Sequence, residues 1–79
     1  MTIQRKIADI RNRLFVVTGK EFFVKADIDW LNFQVEVSPL GEGIHISLTF
    51  RDEEEFLSLG VEYLVDFALM QLERLKGAQ

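Results

Sequence analysis

The sequence predicts a small single-domain α+β fold over residues 1–79. The expected order is α-β-β-β-α, an antiparallel three-stranded sheet with two helices packed on one face. Three observations predict it. Apolar residues at helical spacing open the chain, two central runs alternate apolar and polar residues with a period of two, and residues 52–76 (DEEEFLSLGVEYLVDFALMQLERLK) return to helical spacing. A domain this short buries only roughly 60% of the surface its unfolded chain exposes, so it needs every large side chain it has. Seven Phe, one Trp and a hydrophobic content of 48% supply that core and argue against a disordered chain.

Thr2 is placed to cap a first helix in which Ile3, Ile7, Ile10, Leu14 and Val17 form one apolar edge, with Arg5, Asp9, Asn12 and Arg13 on the other side. Gly19 is a natural stop, because glycine adopts the left-handed conformation common at helix ends. The β-branched pair Val16 and Val17 leaves the last turn open between Leu14 and Gly19.

From Glu21 the period becomes two. Phe22 and Val24 oppose Phe23 and Lys25, a short first strand, with residues 26–29 as a turn or irregular crossing. Residues 30–37 then place Leu31, Phe33, Val35 and Val37 on one face and Asn32, Gln34 and Glu36 on the other, as in a half-buried strand. Pro39, Gly41 and Gly43 supply turn chemistry. In residues 44–50, Ile44, Ile46, Leu48 and Phe50 point inward, and His45, Ser47 and Thr49 outward. The expected hairpin register sets Val37 against Ile44, Val35 against Ile46 and Phe33 against Leu48, which puts every apolar residue on one face.

Asp52 begins the last helix with a capping side chain. Glu55 is placed to return a capping-box bond, and Glu53 and Glu54 meet the positive end of the helix dipole. Read as one rod, the helix has a main stripe of Leu57, Val61, Leu64, Ala68, Leu72 and Leu75 and a second of Phe56, Leu59, Tyr63, Phe67 and Met70. Two covers compete for the second stripe. One is the first helix; the other is an oligomer or partner interface on Phe56, Tyr63, Phe67 and Met70. A membrane span is disfavoured, because Glu62 and Asp66 fall within the apolar stretch.

The element order is similar to that of double-stranded RNA-binding domains. That family carries a basic cluster at the start of its last helix, whereas here the same place reads Asp52, Glu53, Glu54 and Glu55, so RNA binding is not carried over.

Charge is unevenly divided. Up to Lys20 there are five basic residues against Asp9 alone, and beyond it four basic against twelve acidic, for a net −4. An acidic majority disfavours a polyanionic partner and favours a basic one. Without cysteine there is no disulfide framework or thiolate chemistry. The charged start MTIQRKIADIRNRL lacks the apolar block of a secretory signal, which predicts a cytoplasmic protein.

No catalytic, cofactor or metal site is expected. His45, the single histidine, faces Glu36 in the expected register, a solvated cross-strand pair rather than an acid–base dyad. The consecutive acids of residues 52–55 lack the spacing of a calcium loop. Arg5, Lys6, Arg11 and Arg13 are read as a solvated helix face. The leading expectation is therefore a non-enzymatic interaction protein. An acidic ridge of Asp52, Glu53, Glu54, Glu55, Glu62 and Asp66 would occupy a basic surface on a larger protein partner, without touching nucleic acid directly. Size and charge suit a phage or mobile-element inhibitor of the anti-CRISPR kind, whose carboxylates stand where phosphates would. The alternative is a self-associating subunit, a homodimer through the aromatic stripe.

Overall fold

The computed structural model describes residues 2–28 and 31–77. Helix α1 (Ile3–Thr18) leads into strands β1 (Phe22–Ile28), β2 (Phe33–Pro39) and β3 (Ile46–Phe50), followed by helices α2 (Glu53–Ser58) and α3 (Val61–Gly77). The strands form one antiparallel sheet in the order β1-β2-β3, so β1 and β3 are its two edges. The α-β-β-β-α order expected from the sequence is the one observed.

The caps are those the sequence signals. The Thr2 hydroxyl accepts from the Arg5 N–H at 3.1 Å. Gly19 closes α1 at a φ of 73°, where its N–H donates to the Phe15 carbonyl. The helix therefore runs through Val16 and Val17 to Thr18, whose hydroxyl donates back to the Leu14 carbonyl at 2.7 Å. Its buried residues are Lys6, Ile7, Ile10 and Leu14, while Val17 is exposed.

The sheet has one dry face. Phe22, Val24, Phe33, Val35, Val37, Ile46, Leu48 and Phe50 alternate inward and form the core with Ile7, Ile10, Leu14, Phe56, Leu64, Val65, Ala68 and Leu72. β1 is longer than its sequence indicates: residues 26–28 continue the ladder, with Ala26 opposite Val35 and Ile28 opposite Phe33. β2 begins at Phe33; Trp30 lies outside the described residues.

The hairpin register differs from the expected one by two residues. Val37 faces Ile46, Val35 faces Leu48 and Phe33 faces Phe50. A slip of two preserves the inward parity of every side chain, so the hydrophobic pattern satisfies either register. The turn decides between them. Gly41 and Gly43 both take positive φ, and the Ser38 hydroxyl donates to the Ile44 carbonyl at 2.8 Å, which holds residues 44 and 45 in the connection. His45 is consequently exposed and Glu36 faces Ser47, so the expected His45–Glu36 pair does not form.

Residues 52–76 are not one rod. Leu59 is extended, with φ −82° and ψ 144°, and α3 starts afresh with the Leu64 N–H donating to the Gly60 carbonyl. On an unbroken helix Phe56 would lie ~120° around the axis from Ala68. The break lets both reach the core. Phe56 is fully buried, its ring centroid 5.1 Å from that of Phe33 and 5.2 Å from that of Phe50, so it has no part in an exposed interface. The main stripe shifts accordingly. Leu64, Val65, Ala68 and Leu72 are buried, Leu57 and Val61 are partly so, and Leu75 is exposed.

Lys6 holds the break. Expected on a solvated face, it is 2% exposed, and its ammonium donates to the Leu57 carbonyl at 3.0 Å and to the Leu59 carbonyl. It also sits 5.3 Å from the centre of the Phe56 ring. The last carbonyls of a helix have no partner within it and carry its negative dipole end, so a cation there satisfies both.

Candidate functional site

Two surfaces emerge from the residues singled out by the sequence. The first is an acidic corner at the start of α2. Asp52 accepts from the Glu55 N–H at 2.9 Å, the expected cap, while Glu55 returns its carboxylate to the Arg51 N–H at 3.3 Å, one residue earlier than a capping box requires. The Arg51 guanidinium lies 3.7 Å from Glu55 and 4.0 Å from Asp52. Such exposed pairs contribute little to stability. Glu53 and Glu54 are exposed, and neither makes a side-chain hydrogen bond or an ion pair among the described residues. One arginine thus stands beside four carboxylates, and the corner is strongly negative.

The other two acids of the expected ridge lie on α3, after the break at Leu59. Glu62, on α3, is tied to Arg13 of α1 at 2.8 Å. Asp66 is exposed on α3, past the extended Leu59 that separates it from α2. The basic residues of α1 are likewise dispersed: Arg13 pairs with Glu62, and Arg5 lies 3.9 Å from Asp9 on its own helix.

The second surface is a trough between α3 and β3. At one end it is lined by Phe50, Glu55, Leu59 and Tyr63 and holds about 170 Å³. At the other it opens to about 500 Å³ beside His45, Gln71 and Leu75. Leu48, Thr49 and Phe67 line both parts and make them continuous. The trough is open along its length, which suits a polypeptide contact better than an enclosed small molecule. Tyr63, 58% exposed, stacks on Phe67 at 6.4 Å between centroids, and Met70 is 44% exposed. Helix α1 therefore leaves Tyr63 and Met70 uncovered. Of the four interface residues expected from the sequence, Tyr63, Phe67 and Met70 reach the surface and Phe56 does not.

Leu48, Thr49 and Leu75 were absent from that expectation. Their signal was present in the order of the chain: the last strand of a meander is an edge, and residues 46–50 carry no charge.

Among the described residues no three His, Cys, Asp or Glu side chains are grouped to hold a metal ion, and no helix is long and apolar enough to cross a membrane. The last helix begins at Val61 and has no basic residue before Arg74, the reverse of a phosphate-gripping helix start. Comparison of the chain with protein-family models, with curated proteins and with solved structures finds no match in any of the three.

Proposed function

We propose that this protein is a non-enzymatic interaction protein that presents the acidic corner of α2 to a basic surface on a larger macromolecular partner. The observation that carries this reading is the pair Glu53 and Glu54. They are exposed and, among the described residues, uncompensated, next to two acids that share a single arginine, on a helix start fixed by the Asp52 cap and by burial of Phe56. A cluster of carboxylates on a capped helix start steers a basic partner from a distance and favours one orientation on arrival. In its finer form the reading is that of a phage or mobile-element inhibitor whose carboxylates occupy positions that phosphates would take. The reading centres on residues 52–55, with Glu62, paired with Arg13, and Asp66 on α3 as its further members.

The test is affinity capture from the native host at moderate salt, with identification of what stays bound, using the wild-type chain and the double variant Glu53→Gln/Glu54→Gln. Both side chains are exposed and their charges give the α2 start only about 0.3–1 kcal/mol each, so the variant is expected to remain folded, which its thermal melt checks. Capture is expected to fall at least about tenfold, and what remains to depend less on salt. Equal capture by the two proteins refutes the reading.

A further inference from the structure

We propose that the trough is filled by a second copy of this chain, which pairs β3 with β3 antiparallel into a continuous six-stranded sheet. It does not depend on the acidic-corner reading, although Glu55 borders both surfaces, and it rests on three features of the trough.

The first is the strand edge. Among the described residues no element lies beyond β3 in the sheet, so its outward N–H and C=O groups meet no further strand there. Natural proteins blunt such edges with charged side chains, proline or bulges, because an open one invites another strand. β1 carries Lys25 and Asp27 on exposed positions. β3 reads Ile-Ser-Leu-Thr-Phe and has neither charge nor proline.

The second is self-complementarity. Because α3 runs opposite to β3, Tyr63 and Glu55 lie at the Phe50 end of the trough, and Leu75 and His45 at the Ile46 end. A two-fold axis perpendicular to the sheet, just outside β3 and level with its middle residue Leu48, maps each end onto the other. The Glu55 carboxylate of one copy then approaches the His45 imidazole of its partner, an acceptor meeting a donor. The two α3 helices run antiparallel, so the positive first turn of each lies toward the negative last turn of the other. Leu48 and Phe67, which line both halves of the trough, are central in both copies, as an isologous interface requires.

The third is the apolar row. Neighbouring strands lie about 4.8 Å apart and packed helices about 8–10 Å apart, so joined sheets bring two helix layers into contact only where each is set back from its edge. The trough is that setback, and Tyr63, Phe67 and Leu75 of the two copies fill it.

The experiment is sedimentation velocity on the wild-type chain over a concentration series, with two sets of variants. Thr49→Lys places a charge on the solvated face of the edge without touching the core. It is expected to raise the concentration of half-dimerisation at least about tenfold while the thermal melt of the monomer stays unchanged. The proposed register puts Ser47 opposite Thr49 of the partner, and the chain has no native cysteine. The double variant Ser47→Cys/Thr49→Cys should therefore oxidise to a covalent dimer, while neither single variant does so efficiently. A wild-type chain that stays monomeric throughout the series overturns the proposal, as does cross-linking of the double variant no better than that of the singles. Monomeric protein that still captures a basic partner through Glu53 and Glu54 would leave the acidic-corner reading standing.

Discussion

Lys6 joins the first turns of α1 to the junction between α2 and α3. Its ammonium is packed against the Phe56 ring and donates to the partly buried Leu57 and Leu59 carbonyls. Removing the donor strands those carbonyls, and a buried acceptor without a partner costs about 1–3 kcal/mol. Lys6→Met, which keeps the length of the side chain, is therefore expected to lose about that much in urea unfolding at pH 7. Burial also pushes the Lys6 pKa below its ordinary 10.5. The unfolded chain then keeps this proton to higher pH than the folded one, so the contribution of Lys6 to stability grows as pH rises from the folded value toward 10.5. The neutral amine still donates to both carbonyls. The stability gap between wild type and Lys6→Met should therefore widen across that alkaline window; a gap that narrows would show that the charge itself holds the junction.

Two short elements do what one long one cannot. Ser58 and Gly60 are poor helix formers next to the break, and the Ser58 hydroxyl donates to the Glu55 carbonyl at 2.9 Å, which closes α2 from within. Gly60 is not held there by a left-handed backbone, and a Cβ added to it meets no atom within 4 Å. Its position before α3 suits a capping side chain. Gly60→Ser is accordingly expected to raise stability by about 0.5–1 kcal/mol, partly by reducing the freedom of the unfolded chain and partly by capping. Chemical denaturation measures it. A loss instead of a gain would show that the bend needs glycine. The α2–α3 break serves Phe56: an unbroken rod would set it ~120° around the axis from Ala68 and leave one of the two outside the core.

At the scale of the whole molecule, one carboxylate draws three distant segments together. Glu42, in the β2–β3 connection, lies 3.0 Å from Lys20 after α1 and 3.2 Å from Lys76 at the end of α3. Hydrogen bonds from Lys20 and then Lys76 hold its carboxyl below the usual value of 4.5. The sign follows directly: this contribution is fully present above 4.5 and is lost as pH falls through the lower folded value. Glu42→Gln should therefore lower the melting temperature at pH 7 and leave it unchanged in strong acid. An equal difference at both pH values would mean that the side chain acts through packing. The one-dimensional pattern of residues determined the order of elements, the Thr2, Gly19 and Asp52 caps, the inward parity of the strands and the acidic start of the last helical segment, because each depends on neighbours within a few positions. Three features came only from tertiary structure. The hairpin register was open to a slip of two, since alternation is blind to even shifts, and the turn geometry settled it. Lys6 read as solvent-facing, since its partners are carbonyls some fifty residues away. The position of the trough, and with it the choice of Tyr63 and Phe67 over Phe56 as surface, depended on where the last helix turned. Burial and long-range hydrogen bonds settle such matters, and neither leaves a local trace in the chain.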